Sequence, residues 1–320
     1  MKGDRIMSHE IDFTDCQTLK KAYSGANGSK LSIVYNKEIY MLKFPGIAQH
    51  NENMSYSNGC VSEYLGCHIY ESIGIPVQKT ILGTYKIAAN NIKLTVACKD
   101  FTQPGIVLQD FASLKNQIVD TARNGYGTEL AEIENTFDEE NVIDQNVLRE
   151  RFWNMFIVDA LIANWDRHNG NWGFLYDTQT DSLSLAPVFD CGSCLYPQAG
   201  EQEMYNTLTD QDELYIRLYE RPTSAIQING KRIKYFAFIN SMQNHDCTRA
   251  LKRIYPRINM PIINEIVDNT PYITDLQKHF YKTMLNARYN ELTYAYSLAM
   301  QSENKTHSPQ YIKHHHGLSM

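Results

Sequence analysis

With 320 residues, of which 43% are hydrophobic and 21% charged, the chain can bury one large core or two smaller ones, as a soluble enzyme does. Its formal net charge of −6 argues against a dedicated nucleic-acid-binding protein, because binding to phosphates requires a basic stripe and the sequence contains none. No apolar run approaches the roughly 20 residues that span a bilayer, so we expect no membrane span.

The cysteines and the start of the chain predict a cytoplasmic protein. Seven cysteines are scattered along the sequence, unlike the dense, even-numbered framework of a small disulfide-bonded domain, so we expect reduced thiols. Residues 1–14 are polar and acidic and lack the apolar core of a Sec signal. Secretion by another route would leave no mark in the sequence.

The N-terminal third is predicted to consist mainly of strands with one helix. Apolar side chains recur at spacings of three and four between residues 57 and 73, and Gly74 then ends the pattern, which predicts an amphipathic helix. Four β-rich runs predict two hairpins, the first turning at Asn36-Lys37. These runs are 30–35, 38–44, 77–87 and 92–98.

The rest of the chain is predicted to be mostly helical, with one hairpin made of residues 172–176 and 183–186. The polar tail, residues 301–320, is expected to be disordered. We place a boundary after Phe101, which divides a β-rich unit, residues 1–101, from a helical unit, residues 102–300. Helices are expected at 108–123, 130–137 and 146–163, and several more between 251 and 300, broken at prolines.

A dense group of polar residues follows the predicted helix 146–163. It reads Asn-Trp-Asp-Arg-His-Asn-Gly-Asn at residues 164–171, and a second acidic residue, Asp190, follows the hairpin. An acidic residue, an amide five positions later and a second acidic residue can orient a hydroxyl and bind magnesium. We therefore predict a phosphoryl-transfer site, with Asp166 as the base and Asn171 and Asp190 as metal ligands. Taken alone, such loop residues often only cap a helix.

Each of the two residues after Asp166 has two possible roles. His168 is predicted to belong to the catalytic group, because it lies two residues from the base and within reach of a phosphate oxygen. Arg167 either contacts the ligand or only supports the loop by binding carbonyl groups. Both alternatives stay open for each residue.

Residues upstream fit the same site. Lys43, among apolar neighbours at the end of a predicted strand, needs an anionic partner if it is buried, and Glu63 on the predicted helix is the candidate. The turn Ser24-Gly25-Ala26-Asn27-Gly28-Ser29 could bind phosphates through backbone N–H groups, although such clusters are commonly ordinary turns. A solvated surface lysine and glutamate remain the alternative for Lys43 and Glu63.

The motifs, in this order, resemble those of the HipA-like serine/threonine kinases, and among them the cell-translocating type. The resemblance covers roughly residues 10–300 and does not extend to the acidic helical segment near 110–145 or to the tail. It is carried by the Gly-rich turn and by four longer stretches. They are Tyr-Met-Leu-Lys-Phe-Pro at 40–45, Ala-Cys-Lys-Asp-Phe at 97–101, Asp-Arg-His-Asn-Gly-Asn-Trp-Gly-Phe-Leu at 166–175 and Phe-Asp-Cys-Gly-Ser-Cys-Leu-Tyr-Pro-Gln at 189–198.

The resemblance implies an α+β, bilobal protein-kinase-like fold, with a small β-rich N-lobe containing one main helix and a larger, mostly helical C-lobe. It implies ATP and Mg²⁺ as cofactors, and phosphorylation of a serine or threonine hydroxyl on a protein, including the chain itself at Ser24 or Ser29. It also implies the roles already given to Asp166, Asn171 and Asp190. The expected nucleotide contacts are Gly25, Ala26, Asn27, Gly28, Ser29, Lys43, Glu63, Ala97, Cys98, Lys99, Phe101 and Phe189, with residues 97–101 at the hinge that would meet adenine.

Two features depart from the usual patterns. Residues 190–192 read Asp-Cys-Gly where ordinary protein kinases have Asp-Phe-Gly, so a switch based on phenylalanine packing is not expected. The sequence also begins almost at the Gly-rich turn, without the extra N-terminal domain of longer HipA toxins. Pairing with an antitoxin and binding to an operator are therefore not expected.

Three other functions fit parts of the sequence. Phosphoinositide kinases share Asp-Arg-His-x-x-Asn, but the sequence between His168 and Arg217 contains acidic residues and no Lys or Arg, which favours a protein acceptor over a polyanionic lipid head. A non-catalytic pseudokinase is disfavoured because Lys43, Asp166, Asn171 and Asp190 are all present. A zinc site at the Cys-Gly-Ser-Cys of residues 191–194 is disfavoured because no second such pair follows.

Overall fold

The computed structural model describes residues 10–23, 29–46, 57–118 and 123–306. Within these ranges a sheet-rich part precedes a largely helical part, so the fold is of the mixed α and β class. None of the helices in the described ranges combines the length and the apolar character needed to cross a membrane.

Ten strands and ten α-helices are present in the described ranges. The strands, β1 to β10 in chain order, are Gln17–Leu19, Lys30–Tyr35, Glu38–Lys43, Thr80–Ala88, Asn91–Lys99, Ile106–Asp110, Gly173–Asp177, Ser182–Leu185, Gln227–Ile228 and Lys231–Arg232. The helices, α1 to α10, are Gly59–Ser72, Phe111–Ile118, Leu130–Glu139, Gln145–Ile162, Glu201–Thr209, Gln211–Tyr215, Tyr235–Ser241, His245–Ile254, Met260–Asn269 and Asp275–Thr306.

The first five strands form one antiparallel sheet in the order β1-β2-β3-β5-β4. The turn between β2 and β3 consists of Asn36 and Lys37, which both have positive φ, 48° and 67°, as a tight two-residue hairpin requires. This register puts Lys30 directly opposite Lys43. The two predicted hairpins and the predicted helix, which is α1, are confirmed.

Helix α1 packs very closely against the segment that follows β8. A Cβ atom on Gly66 would lie 2.7 Å from Cβ of Cys191 and 2.9 Å from Sγ of Cys194, so only glycine permits this approach. The Cys194 thiol donates to the carbonyl oxygen of Ser62 on the same helix (3.1 Å). The helix and the segment 191–194 are therefore fixed against each other.

A second antiparallel sheet, in the order β6-β7-β8, lies in the helical part of the chain. The prediction of a helix from residue 108 was wrong at its start, because residues 108–110 belong to β6 and pair with β7. A short apolar run can form either a strand or a helix. Here strand β7 supplies backbone hydrogen-bonding partners, which favour the strand. Helix α2 begins at Phe111, and residues 119–122 lie outside the described ranges.

The centre of the helical part is α4, which is buried along most of its length, as its wide apolar face predicts. The long helix α10 packs against α4 and also contacts α5, α7, α8 and α9. The predicted helices 130–137 and 146–163 are confirmed, whereas α5, α6 and the hairpin β9–β10 were not predicted. Helix α10 continues to Thr306, so the expectation of disorder from residue 301 was wrong for residues 301–306; residues 307–320 lie outside the described ranges.

The sheet-rich and helical parts are joined by hydrogen bonds as well as by the chain. Val77 and Val188 form a parallel β-bridge, in which the Gln78 N–H donates to the Val188 carbonyl and the Val188 N–H donates to the Pro76 carbonyl, both at 2.8 Å. The side-chain amide of Gln78 also donates to the carbonyl oxygen of Lys99 (3.0 Å). The sheet-rich part is thereby anchored two residues before Asp190.

We predict that Gly66→Ala lowers the free energy of unfolding by about 1–2 kcal/mol, because overpacking against Cys191 and Cys194 outweighs the better helix propensity of alanine. Urea denaturation measures this change. Gly200→Ala is the matched control, since no atom lies within 4 Å of its added Cβ, and its effect should stay within about 0.5 kcal/mol. Equal denaturation midpoints for the two variants would contradict the close approach of α1.

Candidate active site

The loop after α4, residues 164–171, is held by its own side chains. Ala163 ends the helix in the left-handed conformation, with φ of 56°. The buried side chain of Asn164 then donates to Oδ1 of Asp159 (2.9 Å) and accepts the Asp166 N–H (3.2 Å). Farther on, Nδ2 of Asn171 donates to the carbonyl oxygen of Asp166 (2.8 Å). These hydrogen bonds therefore hold Asp166 and Asn171 together within the loop.

Arg167 is a buried brace between two loops. Its Nε donates to Oδ2 of Asp159 (3.0 Å), and its Nη1 donates to the carbonyl oxygens of Asn171 (2.7 Å) and of Phe189. Burial alone would lower the pKa of Arg167, but the carboxylate of Asp159 acts together with Cys191 and Tyr70 to raise it. The sequence left open whether Arg167 contacts the ligand or supports the loop. Its contacts are those of a residue that supports the loop.

Three charged side chains meet where β3, α1 and the segment after β8 converge. Nζ of Lys43 lies 2.9 Å from Oε2 of Glu63 and 3.0 Å from Oδ1 of Asp190. Burial alone would lower the pKa of Lys43, but the carboxylates of Asp190 and Glu63 more than offset burial and raise it. The predicted pairing of Lys43 with Glu63 is present in the structure, and the solvated-surface alternative is not.

Glu63 makes a second contact that the sequence did not indicate. Its other oxygen, Oε1, accepts the backbone N–H of Cys191 at 3.0 Å, while the Glu63 side chain is only 2% exposed. One buried carboxylate therefore holds both the ammonium group of Lys43 and the main chain directly after Asp190.

The two aspartates have opposite electrostatic environments. Burial raises the pKa of Asp166, and the charge of Asp190 adds to this rise, whereas His168, Arg232 and Arg167 oppose it. For Asp190, burial would raise the pKa, but the ammonium group of Lys43 and then Arg167 lower it. The Asp190 side chain stays 45% exposed, and its backbone has a positive φ of 58°. Asp190 thus remains a carboxylate that can accept a ligand, while Asp166 has a stronger affinity for a proton than an ordinary aspartate.

His168 lies in the same loop with one ring nitrogen already engaged. The Gly170 N–H donates to its Nδ1 (3.0 Å), and the His168 N–H donates to the carbonyl oxygen of Asp166 (2.8 Å). Within the part of the chain that the structure describes, no hydrogen bond engages Nε2 of the half-buried imidazole, so this nitrogen is available to a ligand.

The predicted Gly-rich turn is only partly visible. Gly25, Ala26, Asn27 and Gly28 lie outside the described residues. The carbonyl oxygen of Ser29 accepts the Phe44 N–H at 3.2 Å, which ties the end of the turn to the strand that carries Lys43.

The predicted hinge residues lie at the end of β5 and just after it. Ala97 and Cys98 are fully buried in the sheet, and the Lys99 side chain is turned to the surface, where it pairs with Glu38 (2.7 Å). The ring of Phe101 lies 5.8 Å from that of Phe189, centre to centre. The backbone of Lys99 is also engaged, because its N–H donates to the carbonyl oxygen of Lys79 (2.8 Å) and its carbonyl oxygen accepts from Gln78. Phe101 and Phe189 form an apolar pair.

Two charged residues near this site were missed in the sequence. Lys30 lies opposite Lys43, and burial together with the charge of Lys43 lowers its pKa. The predicted two-residue turn at Asn36-Lys37 already implies this pairing, so the register was the available signal. Asp100 accepts hydrogen bonds from Lys21 and Tyr23, which ties the segment before the Gly-rich turn to the hinge, and no local pattern indicated that contact.

Two other residues that border the catalytic loop were also missed. Nη1 of Arg232, on β10, donates to the carbonyl oxygen of Trp165 (3.2 Å). The ring of Tyr126 lies 6.3 Å from that of His168. Both come from parts of the chain that no sequence pattern associates with Asp166.

Similarity to known proteins identifies the family of the chain. Residues 22–267 match the model of the HipA-like C-terminal domain family. A curated protein of Helicobacter pylori strain J99, named serine/threonine-protein kinase CtkA, is 45% identical over 306 residues, which cover 93% of each sequence.

Solved structures give the same result. The crystal structure of a Helicobacter pylori proinflammatory kinase CtkA matches with a TM-score of 0.86 and 45% identity, covering 92% of this chain and 98% of that one. A complex of HipA, HipB and operator DNA from Shewanella oneidensis MR-1 matches with a TM-score of 0.53 over 89% of this chain and 68% of that one. At 14% identity, this second match shows the fold alone. The chain belongs to the HipA-like C-terminal domain family, as its motifs predict.

Proposed function

We propose that the chain is a serine/threonine protein kinase that uses ATP and Mg²⁺, with a bilobal kinase-like fold divided after Phe101. The observation that carries the proposal is the contact of Lys43 with both Glu63 and Asp190. A strand lysine paired with a helix glutamate and lying beside a metal-binding aspartate is the arrangement with which protein kinases bind the phosphates of ATP. The name of the Helicobacter pylori relative supports a protein acceptor rather than a lipid.

The donor atoms fit a magnesium ion bound together with a nucleotide. Among the described residues, no group of three or more His, Cys, Asp and Glu side chains could hold a metal. Mg²⁺ in nucleotide sites needs only one or two protein ligands, because waters and phosphate oxygens complete its shell. Asp190 supplies a half-exposed carboxylate, and Asn171 supplies its amide oxygen, since its Nδ2 is already bound to Asp166. When bound, the metal neutralises phosphate charge.

The geometry around Lys43 and the motifs of the sequence together support a set of nucleotide contacts. Lys43 binds phosphate oxygens, with Lys30 as a second cation on the neighbouring strand, and Glu63 keeps Lys43 directed toward the site. The backbone N–H groups of residues 25–29 bind phosphate. Adenine lies against the hinge at residues 97–101, where Phe101 and Phe189 supply an apolar surface.

Asp166 acts on the acceptor. Its carboxylate orients the serine or threonine hydroxyl and accepts its proton as the hydroxyl oxygen bonds to the γ-phosphorus and the bond to the leaving ADP oxygen breaks. The raised pKa of Asp166 makes it a better proton acceptor than an exposed aspartate. His168, through Nε2, is positioned to bind a phosphate oxygen.

The proposal is tested by incubating the purified chain with radiolabelled ATP and Mg²⁺ and a generic protein acceptor. We predict that wild type transfers phosphate and that Asp166→Asn lowers the rate by about 10²–10⁴-fold, the usual contribution of a general base. Asp190→Asn should lower it similarly. The control, Asp212→Asn, changes an exposed residue of α6 and should retain the wild-type rate. If the wild type transfers phosphate neither to itself nor to the acceptor, the kinase function is wrong.

A second prediction concerns Glu63. We predict that Glu63→Gln raises KM for ATP and lowers kcat, each by about tenfold, because the neutral amide no longer holds the ammonium group of Lys43 in place. Steady-state kinetics with varied ATP measures both constants. Glu71→Gln, at an exposed position of the same helix, is the matched control. Unchanged constants in Glu63→Gln would show that the pairing with Lys43 has no part in ATP binding.

A further inference from the structure

Two segments that are distant in sequence are joined into one rim beside the catalytic loop. We call residues 124–129 and 225–232 the acceptor rim. The Gln227 N–H donates to the carbonyl oxygen of Thr128 at 2.8 Å. The carboxylate of Glu129 accepts two N–H groups of the β9–β10 turn, at 2.6 and 3.0 Å. Because these bonds run between the segments, the rim is one structural unit.

The acceptor rim is fastened to the catalytic loop at two points. Nδ2 of the fully buried Asn169 donates to the carbonyl oxygens of Gly125 and Gly127, both at 2.8 Å. On the other arm, Nη1 of Arg232 donates to the carbonyl oxygen of Trp165 (3.2 Å). Along the chain, the proposed base Asp166 lies between these two anchor points. The rim therefore borders the short loop segment that carries Asp166.

One arm of the acceptor rim presents an aromatic ring. Tyr126 is 53% exposed, and its ring is so close to the catalytic loop that a Cβ on Gly170 would lie 2.9 Å from its Cε1. The backbone beside it is fixed, because Gly125 has φ of 76° and a Cβ there would lie 1.8 Å from the carbonyl oxygen of Ala112. An exposed ring on such a constrained turn is suited to packing against a bound peptide.

The other arm presents positive charge. The sequence of the rim contains two cations, Lys231 and Arg232, and one carboxylate, Glu129. Glu129 is occupied by the β9–β10 turn, whereas both cations are exposed. The positive charge of Arg232 also offsets part of the rise in the pKa of Asp166 that burial causes. On the β9–β10 arm of the rim, the charge available to a partner is therefore positive.

The acidic run that the sequence showed between His168 and Arg217 lies mainly on other elements. Asp177 and Asp181 lie at the β7–β8 turn, and the later acidic residues lie on or beside α5 and α6. Arg232 lies beyond that run in the sequence and reaches the catalytic loop only through the fold.

We propose that the acceptor rim binds the protein segment that is phosphorylated, and that Arg232 selects segments carrying an acidic side chain next to the accepting serine or threonine. This inference rests on the proposed kinase function. Tyr126 packs against the segment irrespective of its charge, and Arg232 pairs with its carboxylate. Both are positioning residues, since neither is assigned to the phosphoryl group.

The test uses three peptides with one serine in a common scaffold, flanked by glutamate, glutamine or lysine. With the full chain, we expect kcat/KM to be about fivefold higher for the glutamate peptide than for the glutamine peptide, the size of one exposed charge pair. The lysine peptide should be the poorest substrate. Arg232→Glu should reverse this order, whereas Arg257→Glu, an equal charge change at another exposed position, should preserve it.

Tyr126 is tested with the same peptides. Tyr126→Ala should raise KM for all three by a similar factor, about fivefold, and leave KM for ATP unchanged. Tyr126→Phe keeps the ring and should restore the wild-type KM. A change in KM for ATP would assign the residue to the nucleotide site instead.

Several results would overturn the proposal. Equal kcat/KM for the three peptides, a preference for the lysine peptide, or an acidic preference that survives in Arg232→Glu each contradict it. An equal loss of kcat for every peptide and for ATP hydrolysis in Arg232→Glu would assign Arg232 to the phosphoryl group. Autophosphorylation without transfer to any peptide would remove the role of the rim, whereas absence of both ATP hydrolysis and transfer in the wild type would refute the kinase function itself.

Discussion

The buried carboxylate of Glu63 is the interaction on which the candidate site depends. Burying a charge is costly unless it is paired and hydrogen-bonded, and Glu63 meets both conditions by binding Lys43 with one oxygen and the Cys191 N–H with the other. Removal of Lys43 would leave an uncompensated charge in the core, and loss of the Cys191 N–H would leave one carboxylate oxygen without that hydrogen bond. The position of the strand lysine and the position of the loop that carries Asp190 are therefore set by the same group.

Packing reinforces this electrostatic arrangement. Glycine at position 66 lets α1 approach the segment 191–194, and Arg167 ties Phe189 to the catalytic loop from the other side. Asp190 is thus bounded by a helix of the sheet-rich part and by an arginine of the helical part. In the proposed kinase, the metal-binding carboxylate therefore has a fixed position, which does not depend on the ordering of a loop.

Local patterns were sufficient for the residues whose contacts are short-range or follow from a turn. The spacing of Asp166 and Asn171, and the hairpin that carries Lys43, were readable because a helix end and a two-residue turn dictate geometry by themselves. Strand β6 was missed because its state depends on pairing with β7, far along the chain. Tyr126 and Arg232 reach the loop through the pairing of Gln227 with Thr128, a contact between segments that no periodicity connects.

Gln78 binds both Val188 and Lys99, so the β-bridge to the helical part and the chain that leads out of β5 meet at one residue. Helix α1 adds further attachments to the helical part, because the Cys194 thiol donates to Ser62 and the Cys191 N–H donates to Glu63. Two bodies attached at several separate points have no free axis of rotation. A rotation of the sheet-rich part against the helical part would therefore have to break the contacts of α1, and without such a break the separation of Lys43 and Asp190 stays constant.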